Sequence, residues 1–185
     1  MDYATAEQVS KFLQGAEDAD ETALALAISA ASRFIDNFCE VNAGFFAKAG
    51  DTATDKTVAG SGVFLLRLPP YLPGTLESIS SEGLEIDLED YTLRGNVPLQ
   101  FLIAPGRVYF SEDAYFTFRA QWGFAEIPAD IVQATITMAI KMFRETDVAT
   151  VKMADTETQL TQNVPSIVRA ICDGYRRMNL YLAVI

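Results

Sequence analysis

The stretch from Tyr115 to Arg144, YFTFRAQWGFAEIPADIVQATITMAIKMFR, limits the folds open to this chain more than any other. Tyr115 to Trp122 is aromatic-rich and β-prone, so it predicts a strand. Gly123 then lets the backbone turn. Pro128 suits the first helical position, where its missing N–H costs nothing, and Asp130 falls in the first turn, where the helix dipole favours negative charge. Beyond it Ile131, Ala134, Thr135, Met138, Ala139 and Met142 recur at helical spacing. A strand must therefore hand over directly to an amphipathic helix. None of these residues does chemistry; they build a corner and an interface.

The same reading applied upstream gives two more helices. Thr5 with Gln8 forms a capping-box signature opening a short helix that carries Val9, Phe12 and Leu13 on its apolar face. Asp20 is the expected N-cap of a helix over roughly 21–39, where Leu24, Ile28, Ala31, Ile35 and Phe38 form an apolar stripe. Residues 43–62 shift to Gly, Ala, Thr and Asp and read as a loop or arm anchored by Phe45 and Phe46. Gly60-Ser61-Gly62 lacks the phosphate-loop pattern and precedes a strand, which argues against nucleotide binding.

Short β-prone runs then alternate with turns: Val63–Leu68, Leu76–Ser80, Leu84–Asp87 after a Ser81-Glu82-Gly83 turn, Tyr91–Arg94, Phe101–Ile103 and Arg107–Phe110. They predict a compact antiparallel sheet or small barrel. Residues 147–163 are polar and Thr-rich without helical periodicity, a length that in a compact domain marks a functional or disordered segment. Pro165 starts a last helix with Ile167, Val168, Ile171, Cys172, Tyr175 and Met178 inside. The fold class expected is α+β: a small helical bundle of about four helices with an inserted antiparallel β subdomain. Residues 1–42 supply the N-terminal helices, 43–62 the loop or arm, 63–122 the β insertion, and 123–185 the C-terminal helices with an extended loop at 147–163.

Composition removes several functional classes. The chain has no histidine, which takes away the commonest general base and the usual hydrolytic triads. Its two cysteines, Cys39 and Cys172, lie in helix-like stretches and read as reduced, buried thiols; a disulfide between adjacent helices is the alternative. No apolar run is long enough to span a membrane. The opening MDYATAEQ lacks a basic, apolar secretion signal, so the chain is expected to be cytosolic when made. Net charge is −11, with residues 1–90 holding 16 acidic and 5 basic side chains and residues 91–185 holding 9 of each. A sequence-specific DNA reader would show a basic face; here only Arg169, Arg176 and Arg177 cluster. The acidic surface either aids solubility or borders DNA that slides past without being held.

Several segments in order resemble one family, the head–tail connector or head-completion adaptor proteins of tailed bacteriophages. They are Thr5-x-x-Gln8 followed by DADETALALAISAASRFIDNFC, the run RLPPYLPGTLESIS leading to EDYTL, Trp122-Gly123 followed by Ile127-Pro128-Ala129-Asp130-Ile131, and the closing PSIVRAICDGYRR. The resemblance covers nearly the whole chain. It implies a helical bundle with an inserted β subdomain, assembled as a ring of twelve in the virion. That ring would dock on the portal protein and extend the DNA channel. It would also receive the next head-completion or tail protein, while genomic DNA passes without sequence-specific contact. It implies no catalytic residue, metal, cofactor or membrane. The loop at 43–62 is longer than the family's pattern.

Candidate partner contacts follow from both readings. Val151, Met153 and Leu160 are apolar anchors in the polar 147–163 loop. Arg169, Arg176 and Arg177 either decorate the last helix or meet an acidic neighbour or channel DNA. Trp122 either closes the strand–helix corner or anchors a subunit interface. Two rival readings stand beside the connector. One is an assembly subunit outside phages with the same fold. The other is a carboxylate metal enzyme using Asp87, Glu89 and Asp90 or Glu112 and Asp113, against which these are solvated turns.

Overall fold

The structure, a computed structural model, describes residues 1–13, 20–98, 100–104, 109–147 and 164–180, with residues 146–147 and 177–180 described in backbone only. It is α+β, and the chain divides into two compact units. The first comprises Met1–Phe46 and Ile127–Ile185, and the second comprises Ala47–Glu126.

The first unit contains four helices among its described residues: α1 (Ala6–Ser10), α2 (Glu21–Phe38), α3 (Ala129–Asp147) and α4 (Ser166–Leu180). Each starts where local chemistry satisfies its first amides. Thr5 caps α1 in a full capping box, with Gln8 reaching back to the Thr5 amide at 2.8 Å. The Asp20 carboxylate accepts from the amides of Thr22 and Ala23 at the head of α2. Pro128 lies one residue ahead of α3, and its carbonyl accepts the first helical bond from the Val132 amide at 3.0 Å. The Pro165 carbonyl does the same for Arg169 at the head of α4.

Leu24, Ile28, Ala31 and Ile35 of α2 and Ile131, Ala134, Met138 and Ala139 of α3 are all buried, as their spacing predicts. α2 and α3 pack closely against each other, and Val168 and Cys172 of α4 join the buried set. Two expected core residues lie elsewhere. Phe12, one residue beyond the C-cap Lys11 of a helix of only five residues, is 63% exposed, and Ile167 is 43% exposed because α4 turns Val168 inward instead.

In the second unit two antiparallel sheets enclose a separate core. One has the order β1 (Thr54–Ala59), β7 (Tyr115–Ala120), β3 (Ser78–Ser81), β4 (Leu84–Ile86); the other has β2 (Leu65–Leu68), β6 (Gln100–Ile103), β5 (Thr92–Arg94). Strict alternation sends Phe116, Phe118 and Ala120 of β7 and Leu66 and Leu68 of β2 inward. They meet Ile79, Leu102 and Phe110 there. The β3–β4 hairpin closes through Glu82 and Gly83, both at positive φ (52° and 81°), the two-residue turn whose twist matches that of its strands. A short 3-10 helix at Leu88–Asp90 follows β4.

Two expectations need correction here. The arm expected at 43–62 contains β1, which pairs with β7 over its full length from Thr54↔Ala120 to Ala59↔Tyr115. The strand expected at Arg107–Phe110 falls partly outside the described residues, and Tyr109 and Phe110 belong to no strand. Phe110 is nonetheless buried, and its backbone bonds Gly62 and Val63.

Candidate functional site

The Trp122–Gly123 turn that follows β7 lies in the second unit. Trp122 is 8% exposed and donates its indole N–H to the Thr54 carbonyl at 2.7 Å. Its ring meets Tyr71 edge-on at 6.0 Å, and the Lys56 ammonium lies 5.2 Å from its centroid. Burial lowers the pKa of Lys56. Gly123 has φ 124°, and a Cβ there would come within 2.6 Å of the Ala47 carbonyl oxygen. Trp122, a candidate partner contact from the sequence, thus has its polar atom and nearly all its surface engaged within its own unit.

The N-terminal strap of the helical unit is held by a polar network that the sequence did not announce. Tyr3 is 1% exposed; its amide donates to Ser32 Oγ at 3.0 Å and its hydroxyl to the Asp36 carboxylate. The other Asp36 oxygen accepts from the Gly44 amide at 2.9 Å, and the Phe46 amide donates to the Tyr3 hydroxyl at 3.4 Å. Burial raises the Asp36 pKa against the lowering effect of these donors, and burial also raises that of Tyr3. A Tyr three residues from the start and an Asp in the last turn of α2 were the only available signals.

α4 carries the arginines. Arg176 pairs with Glu40 and, at 3.8 Å, with Asp173; its guanidinium lies 5.4 Å from the centre of the Phe38 ring. The Glu40 hydrogen bond raises its pKa. Tyr175 donates to the Asp130 carboxylate at 3.1 Å and packs edge-on against Phe46, so α4 is fixed to the head of α3. Arg169 is exposed. The Arg177 side chain, like Val151, Met153 and Leu160, lies outside the described residues. The structure therefore brings Arg176 to Glu40 and leaves Arg169 exposed on the same helix.

Cys39 and Cys172 are both buried, and their thiols hydrogen-bond each other. That bond, ahead of burial, pushes the Cys39 thiol up and keeps it protonated.

A groove of about 530 Å³ opens on the side of α3 turned away from its core stripe. Val132, Gln133, Ile136, Thr137 and Ile140 of α3 line it, together with the exposed Phe12. This second apolar row is the first one shifted by a single residue, and the sequence reading stopped at the first.

Asp87 caps the 3-10 helix by accepting from the Glu89 amide at 3.0 Å, and among the described residues no group of three or more Cys, Asp or Glu could hold an ion. No described helix is long and apolar enough to cross a membrane.

The model of the head completion protein family matches residues 3–178. The chain belongs to that family. It is a structural protein of the virion at the head–tail interface. Among solved structures, a chain from the neck of an empty GTA particle computed with C6 symmetry is similar at 18% identity. The match covers 92% of this chain and 88% of that one, with a TM-score of 0.55, a likeness of fold. No curated protein matches.

Proposed function

We propose that this head completion protein assembles into a ring of twelve copies, docks on the portal protein and extends the DNA channel. The ring would present the attachment surface for the next head-completion or tail protein. The observation that carries this reading is the family match over residues 3–178. The C6 symmetry of the similar neck supports a ring, since six divides twelve. The net charge of −11 supports passage of DNA without capture. Duplex DNA carries about one negative charge per 1.7 Å of axis, so an acidic wall offers it few contacts that would release counterions. No catalytic step belongs to this function.

The test is genetic and physical together. Particles made without this chain are expected to be filled heads lacking tails, and particles made with it to contain about 244 kDa of it, twelve times 20.3 kDa. Normally tailed particles in its absence would overturn the reading. A copy number other than twelve would overturn the ring of twelve.

A further inference from the structure

We propose that the α3 groove receives the outer face of α2 from a second copy of this chain, with the partner's Leu26 side chain seated between Val132, Ile136 and Ile140. The proposal rests on the ring reading for its biological setting and on the helical unit alone for its geometry.

A helix apolar on one side explains itself by its core; one apolar on both sides is built to be covered twice. α3 is of the second kind. Ile131, Ala134 and Met138 are fully buried on one side, and Val132, Ile136 and Ile140 remain half-buried on the other. Leu26 is the counterpart. It is 65% exposed on the side of α2 opposite Leu24, Ile28 and Ile35. Around it, at the helical neighbour positions, stand Thr22, Ala25, Ser29 and Ala30, all small. A single large knob amid small residues lets a second helix approach closely and inserts one side chain into a hole.

The placement of knob and groove sets the kind of assembly. α2 and α3 pack together through their buried stripes, so their outer faces point away from each other. A knob on one flank and its hole on the opposite flank give a head-to-tail contact, which repeats from copy to copy until it closes.

Charge sets the direction. α2 begins with Asp20 and Glu21 and carries Arg33 three turns later, whereas α3 begins with Asp130 and carries Lys141 and Arg144 towards its end. Antiparallel docking with Leu26 over Ile136 places Arg33, two turns on from Leu26 along the same face, beside the Ala129–Asp130 end. It also opposes the two helix dipoles. Parallel docking would bring Arg33 towards Arg144 instead.

The test is disulfide trapping between copies, using concentrated purified protein and, separately, assembled particles, with Cys39 and Cys172 left in place because both are buried. The pair Leu26→Cys with Ile136→Cys is expected to give a ladder of cross-linked multimers on a non-reducing gel, while each single variant stays monomeric. Arg33→Cys with Ala129→Cys is expected to cross-link, and Arg33→Cys with Ile140→Cys is not. Absence of any ladder overturns the proposal, as does a dimer from Ile136→Cys alone, which would mean that groove meets groove. Cross-linking of Arg33→Cys with Ile140→Cys in place of Ala129→Cys overturns the antiparallel direction. Circular dichroism checks the fold, and Thr137→Cys replaces Ile136→Cys if that variant is disturbed. Particles that lack the protein count against the neck assignment alone. Particles that contain it without a ladder count against this contact alone.

Discussion

Asp36 shows how one buried carboxylate ties a chain end to a helix and leaves a pH signature. Its carboxyl accepts from Tyr3 and Gly44, yet burial raises its pKa above the ordinary value of 3.8. The folded state then holds a proton that the unfolded state releases. The stability that Asp36 contributes is therefore full below its unfolded pKa of 3.8 and is lost as pH rises through the raised folded value. Urea unfolding across that range is expected to show the decline in the native protein and to lose it in Asp36→Asn. A flat native profile would mean that the two donors offset burial. This network was not legible in the sequence, because a Tyr–Asp contact over 33 residues leaves no periodic trace. Trp122 was easier to notice but open in meaning: an aromatic-Gly pair marks a corner, and only the Thr54 and Tyr71 contacts show which side of it faces inward.

At the scale of elements, the hairpin turn gives the cleanest expectation. Glu82 occupies left-handed backbone that costs an L-residue roughly 1–2 kcal/mol, whereas Asn adopts it more readily. Glu82→Asn is expected to raise stability by about 0.5 kcal/mol, read as a higher thermal midpoint. An unchanged or lower midpoint would mean that the Glu82 side chain contributes something its exposure does not suggest.

The helices were legible because caps and stripes coincide: Thr5, Asp20, Pro128 and Pro165 each stand at or just ahead of a helix start. Strand β1 was not. Thr54–Ala59 is an edge strand exposed on almost every residue, so it carries no alternation and owes its conformation to β7 beside it. The apolar row Val132–Ile136–Ile140 was missed for another reason. Once Ile131, Ala134 and Met138 account for a helix, a parallel row next to them looks like surplus hydrophobicity, and only the solvent exposure of that face reveals it.

For the whole molecule, sequence order alone announced an insertion, since helix signals bracket β signals along the chain. What it could not announce is how the insertion is fastened. The segments entering and leaving the β unit run side by side: the Ala49 amide donates to the Phe124 carbonyl at 2.8 Å, and the Phe124 amide donates to the Ala47 carbonyl at 2.9 Å. Lys48 bridges to Glu126 at 2.7 Å beside them. Because the two ends of the insertion already meet, the residues between them form a cassette. Replacing residues 47–126 by a short Gly-Ser linker is expected to leave a helical protein by circular dichroism, and loss of helicity would show that the cassette is needed for folding. A lineage could exchange such a cassette for another of different shape, changing what the assembled particle accepts while keeping the helical frame.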